Sequence, residues 1–135
     1  MAVLDHERLE VYQVARELSR EICRVQKRIK TGRADLVDQL RRAAASVPLS
    51  IAEGNGERMQ RRRAYFFRIA RSSATEVASV LDHLVDMELL NSEEIDAAKA
   101  LVVRIVSMLV KLTIRIGAVD DGYVPTSRRR KRGRI

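Results

Sequence analysis

Apolar positions recur every three or four residues through four long segments, separated by short polar breaks. Leu9, Tyr12, Ala15, Leu18, Ile22, Val25 and Ile29 trace one helical face, so the spacing predicts a first helix from about Asp5 to Ile29. "TGR" breaks it, with Gly32 as a C-terminal glycine. Asp35 is the expected N-cap of a second helix, whose buried face is Leu36, Leu40, Ala43, Val47 and Ile51. Pro48 falls inside that pattern and predicts a kink near residues 44–48, because the ring lacks a donor and clashes with the preceding turn. Gly54 and Gly56 are read as the end of this helix. A third helix is expected from Arg58–Gln60 to about Glu88, facing inward through Phe66, Ile69, Ala70, Ser73, Val77, Val80 or Leu81, and Leu84. "LLNSEE" is a stop and a start: Asn91 or Ser92 caps, and Glu93 and Glu94 suit the positive end of the helix dipole. The fourth helix extends to about Ile116. Short connections make neighbours antiparallel, so the expected fold is all-α, an up-down-up-down four-helix bundle over residues 1–117. Residues 118–135 form a linker and a basic tail expected to be disordered.

The fourth helix departs from a simple stripe. Twelve of residues 100–116 are apolar, among them Val103, Val110 and Ile114, and they wrap most of the helix. One bundle core covers one stripe, so the surplus predicts a homo-oligomer. Arg104, Lys111 and Arg115 interrupt the run, which excludes a membrane span. The charged start "MAVLDHERLE" lacks the apolar stretch of a signal peptide, and an intracellular, cytoplasmic chain is expected. Cys23, the single cysteine, excludes an internal disulfide and is read as a small packed hydrophobe.

Composition adds a core and a charge. Hydrophobic residues are 46% of the 135, enough for one folded domain, and aromatics are only 4%. The net charge is +8, but Arg128, Arg129, Arg130, Lys131, Arg132 and Arg134 supply six of these, leaving +2 for the rest. Tail and body are therefore separate basic features.

In the body, charge gathers around one break. "SIAEGNGERMQRRR" places two glycines beside three consecutive arginines. A tight reversal centred near residues 56 and 57 would set Ala43–Ala45 against Arg68–Ala70, Arg42 level with Arg71, and Arg41 level with Ser72. Glu76 could then reach Arg41 or Arg42, and Glu53 would lie near Arg61. Eight guanidinium groups, Arg41, Arg42, Arg58, Arg61, Arg62, Arg63, Arg68 and Arg71, outnumber the nearby acids Glu53, Glu57 and Glu76. Planar guanidinium forks suit phosphate. The plainer reading is a solvated face with surface ion pairs, worth ~0–1 kcal/mol each.

"DQLRRAAASVPLSIAEGNGE" followed by "FFRIARSSATEVASVL" resembles the four-helix-bundle family first recognised as reading frames inside intervening sequences of bacterial large-subunit ribosomal RNA genes. The resemblance covers roughly residues 9–116. It departs at Ser50, where the family pattern carries asparagine, and at Ser72, where it often carries glycine at a close helix contact. What it implies is a ring-like homo-oligomer, with a pentamer favoured. It also implies a distant likeness to the accessory variability determinant of diversity-generating retroelements, which binds nucleic acid and works with a reverse transcriptase. The arginine tail is not part of the shared pattern.

No catalytic constellation accompanies these features, so an enzyme is not expected. His6 and His83 are far apart in sequence, and the paired Glu-x-x-His elements of a di-iron bundle are missing. No phosphate loop, dinucleotide glycine motif or nucleophile elbow occurs. No cofactor or metal is implied, and Glu53 and Glu76 are read as ties between helices two and three. The leading expectation is an oligomeric nucleic-acid-binding accessory protein. It would bind RNA, DNA or both through phosphate contacts with low sequence specificity, with a reverse transcriptase or ribosomal component as a further partner. Tyr65 is weighed as a base-stacking group against a packing role. The alternative function is an oligomeric protein-interaction scaffold.

Overall fold

The computed structural model describes residues 2–29, 32–117 and 122–124. A short 3-10 turn at Asp5–Arg8 leads into α1 (Glu10–Lys27), followed by α2 (Ala34–Gly56), α3 (Gln60–Asp86) and α4 (Ser92–Ile116). Each helix packs on its chain neighbours, and α1 closes the square against α4. The fold is thus the expected up-down-up-down bundle.

The core follows the apolar periodicity. Leu18, Val25, Leu40, Val47, Ile51, Val77, Leu81, Leu84, Ile105 and Leu109 are almost wholly buried. The inward face of α3 differs in detail: Phe67 is 1% exposed and joins the central cluster, whereas Ile69 is half-buried. One further expectation fails by one helical position: Cys23 is exposed rather than packed, because Ile22 and Val25 take the inward positions beside it. Ser73 faces inward as its spacing predicts and makes the close α2–α3 contact, donating to Ser46 at 2.8 Å, whereas Ser72, the position singled out by the resemblance, is exposed. Ser50, at the position where the resemblance expects asparagine, is buried beside Ser46.

The boundaries show what starts and stops each helix. α1 begins at Glu10, after the 3-10 turn, because Leu9 is extended and ends that turn. Asp35 is not the N-cap of α2. Arg33 holds that position, and Asp35 sits in the first turn paired with it at 3.1 Å. The hydrogen bond from Arg33 holds the Asp35 carboxyl below its usual range. α2 continues through Pro48 to Gly56. α4 starts with a reciprocal cap: Asn91 Oδ1 accepts from the Glu94 amide at 2.9 Å, and Glu94 Oε1 accepts from the Asn91 amide at 3.0 Å. It ends at Gly117 in the left-handed region, with φ 73°.

The α2–α3 connection corrects the sequence reading most. α2 ends on Gly56, as expected, but runs through Gly54, and the chain turns at Glu57–Met59. Gly54 is needed for space: a Cβ there would lie 2.8 Å from Phe67 Cε1 and 3.1 Å from Phe66 Cβ. Because the reversal comes later than expected, the facing register also shifts. Ser46 lies opposite Ser73, and Gln39 opposite Glu76.

Candidate functional site

The antiparallel order brings the start of α1, the end of α2, the start of α3 and the end of α4 to one end of the bundle. Asn55, near the end of α2, donates to Asp5 at 3.0 Å and ties the N-terminal turn to this end. Here α3 begins against the usual rules. Met59 is the N-cap with no side-chain cap bond, and the first turn carries no acid. Arg61, Arg62 and Arg63 stand instead at the positive end of the dipole.

Two of these arginines are built into the connection. Arg62 donates to both oxygens of Glu57, at 2.9 and 3.1 Å. The hydrogen bond to Glu57 raises the Arg62 pKa, with a smaller contribution from Tyr123. Arg63 donates to the carbonyls of Asn55 and Glu57, at 3.1 and 3.3 Å. The last turn of α2 has no basic residue of its own, so Arg63 reaches back from α3 to serve those carbonyls.

The other arginines divide into two groups. Arg58 and Arg61 are exposed at the mouth of the connection, and Arg68 and Arg71 lie half-buried farther along α3. Residues 122–124 return along this face. Tyr123 places its ring 4.6 Å from the Arg61 guanidinium carbon. Between this strap and α3 runs a groove of about 340 Å³, lined by Tyr65, Arg68, Arg71, Ser72 and Tyr123 among others. Arg41 and Arg42 do not join this group. Arg41 faces α1, lining a groove with Ser19, Cys23 and Gln26. Arg42 pairs with Asp38 at 2.7 Å and lines a separate α2–α3 groove of about 380 Å³ with Asp35 and Glu76.

The expected Glu76 tie takes another partner. Glu76 does join α2 to α3, but it accepts from Gln39 at 3.2 Å rather than from Arg41 or Arg42. Arg42 lines the same groove as Glu76 but pairs with Asp38 on its own helix. Glu53 is exposed near the end of α2 and lines a groove with Arg42, Ser50 and Ile69. Tyr65 is 8% exposed and stacks edge-on against Phe66, so packing accounts for it. Arg128, Arg129, Arg130, Lys131, Arg132 and Arg134 lie outside the described residues.

Among the described residues, no group of three or more His, Cys, Asp or Glu is arranged to hold a metal ion. No described helix is long and apolar enough to cross a membrane. The site's chemistry is that of guanidinium groups beside a tyrosine. Tyr123 was missed from sequence, where the only signal was an aromatic between a glycine and a proline just before the arginine run.

Comparisons with known proteins bear on the fold and the lineage. The family described as 23S rRNA-intervening sequence protein matches residues 7–111. No curated protein matches the chain. A crystal structure from Bacteroides thetaiotaomicron, of a protein of unknown function from the S23 ribosomal protein family, superposes with a TM-score of 0.70 at 19% identity. The superposition covers 76% of this chain and 97% of that one. At that identity the likeness concerns the fold.

Proposed function

The chain belongs to the 23S rRNA-intervening sequence protein family, and on that premise we propose that it is a non-enzymatic, oligomeric nucleic-acid-binding accessory protein of the cytoplasm. It holds phosphates on guanidinium groups with low sequence specificity. The observation that carries this reading is the start of α3, where an uncapped helix N-terminus, Arg58 and Arg61 stand together with no acid in the first turn. Backbone amides without a side-chain cap, beside guanidinium groups at one helix end, suit a phosphate. The neighbouring fold's ribosomal family name is consistent with an RNA partner, and a ribosomal component or a reverse transcriptase remains the protein partner of the proposal. Residues 1–117 act as the bundle and 118–135 as a basic arm, whose six charges add counterion release.

The oligomer is supported by α4. Val103 and Ile114 are 68% and 73% exposed, on the same outward side as the half-buried Val110. A second subunit would cover this stripe, and a ring of five is the favoured assembly. These same residues favour the second reading, an oligomeric scaffold that holds another protein.

A gel-shift series separates the two. Duplex DNA, single strands and structured RNA are each titrated at several salt concentrations, beside a pull-down from nuclease-treated lysate. The binding reading expects shifts whose log affinity falls linearly with log salt, and a loss of slope when residues 128–135 are deleted. No shift at low salt, with protein captured from the nuclease-treated lysate, would replace it with the scaffold.

A further inference from the structure

The groove between α3 and the returning segment combines features that the start of α3 alone does not. Its aromatics are Tyr65 and Tyr123, and its cations are Arg68 and Arg71. Tyr12 packs edge-on with His6 and contacts the core, while Tyr65, Phe66 and Phe67 are buried. Tyr123 is thus the half-buried aromatic at the arginine face. The Arg61 guanidinium lies over its ring and fixes its orientation.

We propose that this groove holds one unpaired nucleotide, with its base stacked on Tyr123 and its phosphate on Arg68 and Arg71, so that the protein prefers single strands to duplex. The inference rests on the nucleic-acid reading and specifies its ligand. Three observations support it. First, a volume of about 340 Å³ lies at the small end of ligand pockets and suits one nucleotide rather than a longer run. Second, aromatic rings beside a cationic track are the means by which single strands are held, since every base has a stackable face. Paired bases keep those faces inside the duplex. Third, the arginine run begins at Arg128, a few residues beyond the strap, so a strand seated on Tyr123 lies within reach of the arm.

The test uses the full chain and three variants, Tyr123→Phe, Tyr123→Leu and Tyr123→Ala. The probes are single strands of RNA and of DNA carrying 2-aminopurine, whose emission is quenched by stacking, and a DNA duplex of equal length. Helicity and melting temperature are followed in parallel. The expected result is tighter binding of single strands than duplex by the unaltered protein, with quenching on binding. Tyr123→Phe keeps both. Tyr123→Leu and Tyr123→Ala lose single-strand affinity about tenfold, within the range seen when a stacking aromatic is truncated, and leave duplex affinity unchanged. The RNA and DNA arms show whether the sugar matters.

Three results would overturn the inference while leaving nucleic-acid binding intact. These are equal single-strand and duplex affinities in the unaltered protein, unchanged affinity in Tyr123→Leu, or an equal loss for both probes, which would make Tyr123 only an anchor for the strap. If the unaltered protein binds none of the probes, the nucleic-acid reading falls as well.

Discussion

The starts of α3 and α4 are built on opposite terms. α4 opens with Asn91 and Glu94 bonding each other's amides, and with Glu93 and Glu94 at the positive end of the dipole. α3 opens on Met59, which caps nothing, followed by three arginines at the end where positive charge is least welcome. The first is stable by local rules. The second is held by contacts from outside the helix: Phe67 against Gly54, Arg62 against Glu57, and Arg63 on the carbonyls that end α2. A helix start with no side-chain cap and no acid, held by tertiary contacts, is the kind of local inconsistency expected at functional sites. On the proposed function, it is where phosphate sits.

The comparison breaks most sharply where the tertiary support is removed. Phe67→Ala empties a fully buried site and is expected to lower stability by about 3–5 kcal/mol, read as a lower urea midpoint. Gly54→Ala acts on the same contact from the other side. Its methyl group would force the Phe67 ring or the α2 backbone to move, at an expected cost of about 1–3 kcal/mol. An unchanged midpoint in both would show that α3 does not depend on this contact.

Caps give smaller effects, and they differ in sign between the two helices. Asn91→Ala removes an existing cap from α4 and is expected to cost about 1 kcal/mol. At the exposed Met59, Met59→Asp adds the cap that α3 lacks, and is expected to raise stability by a similar amount, about 1 kcal/mol. The added carboxylate should also weaken nucleic-acid binding. Met59→Asn, a cap without charge, should raise the melting temperature and, by occupying the same amides, weaken binding less than Met59→Asp does. If Met59→Asp binds as tightly as the unaltered protein, the α3 start is not the phosphate site.

The smallest expected effect lies at α2, whose start is intermediate between the two. Asp35 there is favoured in its charged form by Arg33, so its folded-state pKa lies below the unfolded one. Its contribution is complete above the unfolded value and disappears as pH falls through the folded value. Both side chains are solvent-accessible, so the effect on stability is slight. Asp35→Asn should therefore flatten the acid side of the stability curve by little, and a carboxyl titration followed by NMR should place Asp35 below an ordinary aspartate.

Much of this contrast was legible in the chain itself. The α4 cap follows from Asn91 and two glutamates, and the bundle follows from apolar spacing. The α2–α3 register did not. Gly54 and Gly56 carry the composition of a turn, yet one of them serves a close helix contact that only Phe67, on the partner helix, explains. Glu76 accepts from Gln39, and Arg41 lies on the side of α2 that faces α1, neither of which the pairing register alone decides. Cys23 was misplaced by a single residue, about 100° of helix, which is the resolution limit of a periodicity argument. Tyr123 was out of reach because the return of residues 122–124 onto α3 leaves no periodic trace.

The central claim, that the exposed arginines at the start of α3 hold phosphate at the expense of helix stability, is tested most directly by the salt dependence of nucleic-acid affinity in Arg58→Glu/Arg61→Glu. Both side chains are exposed, so the bundle should keep its helicity, now with an acid in the first turn. The account predicts weaker binding, and a log-affinity against log-salt slope shallower by roughly 1–2 for two lost phosphate contacts. The same affinity and the same slope, with the fold intact, would contradict it.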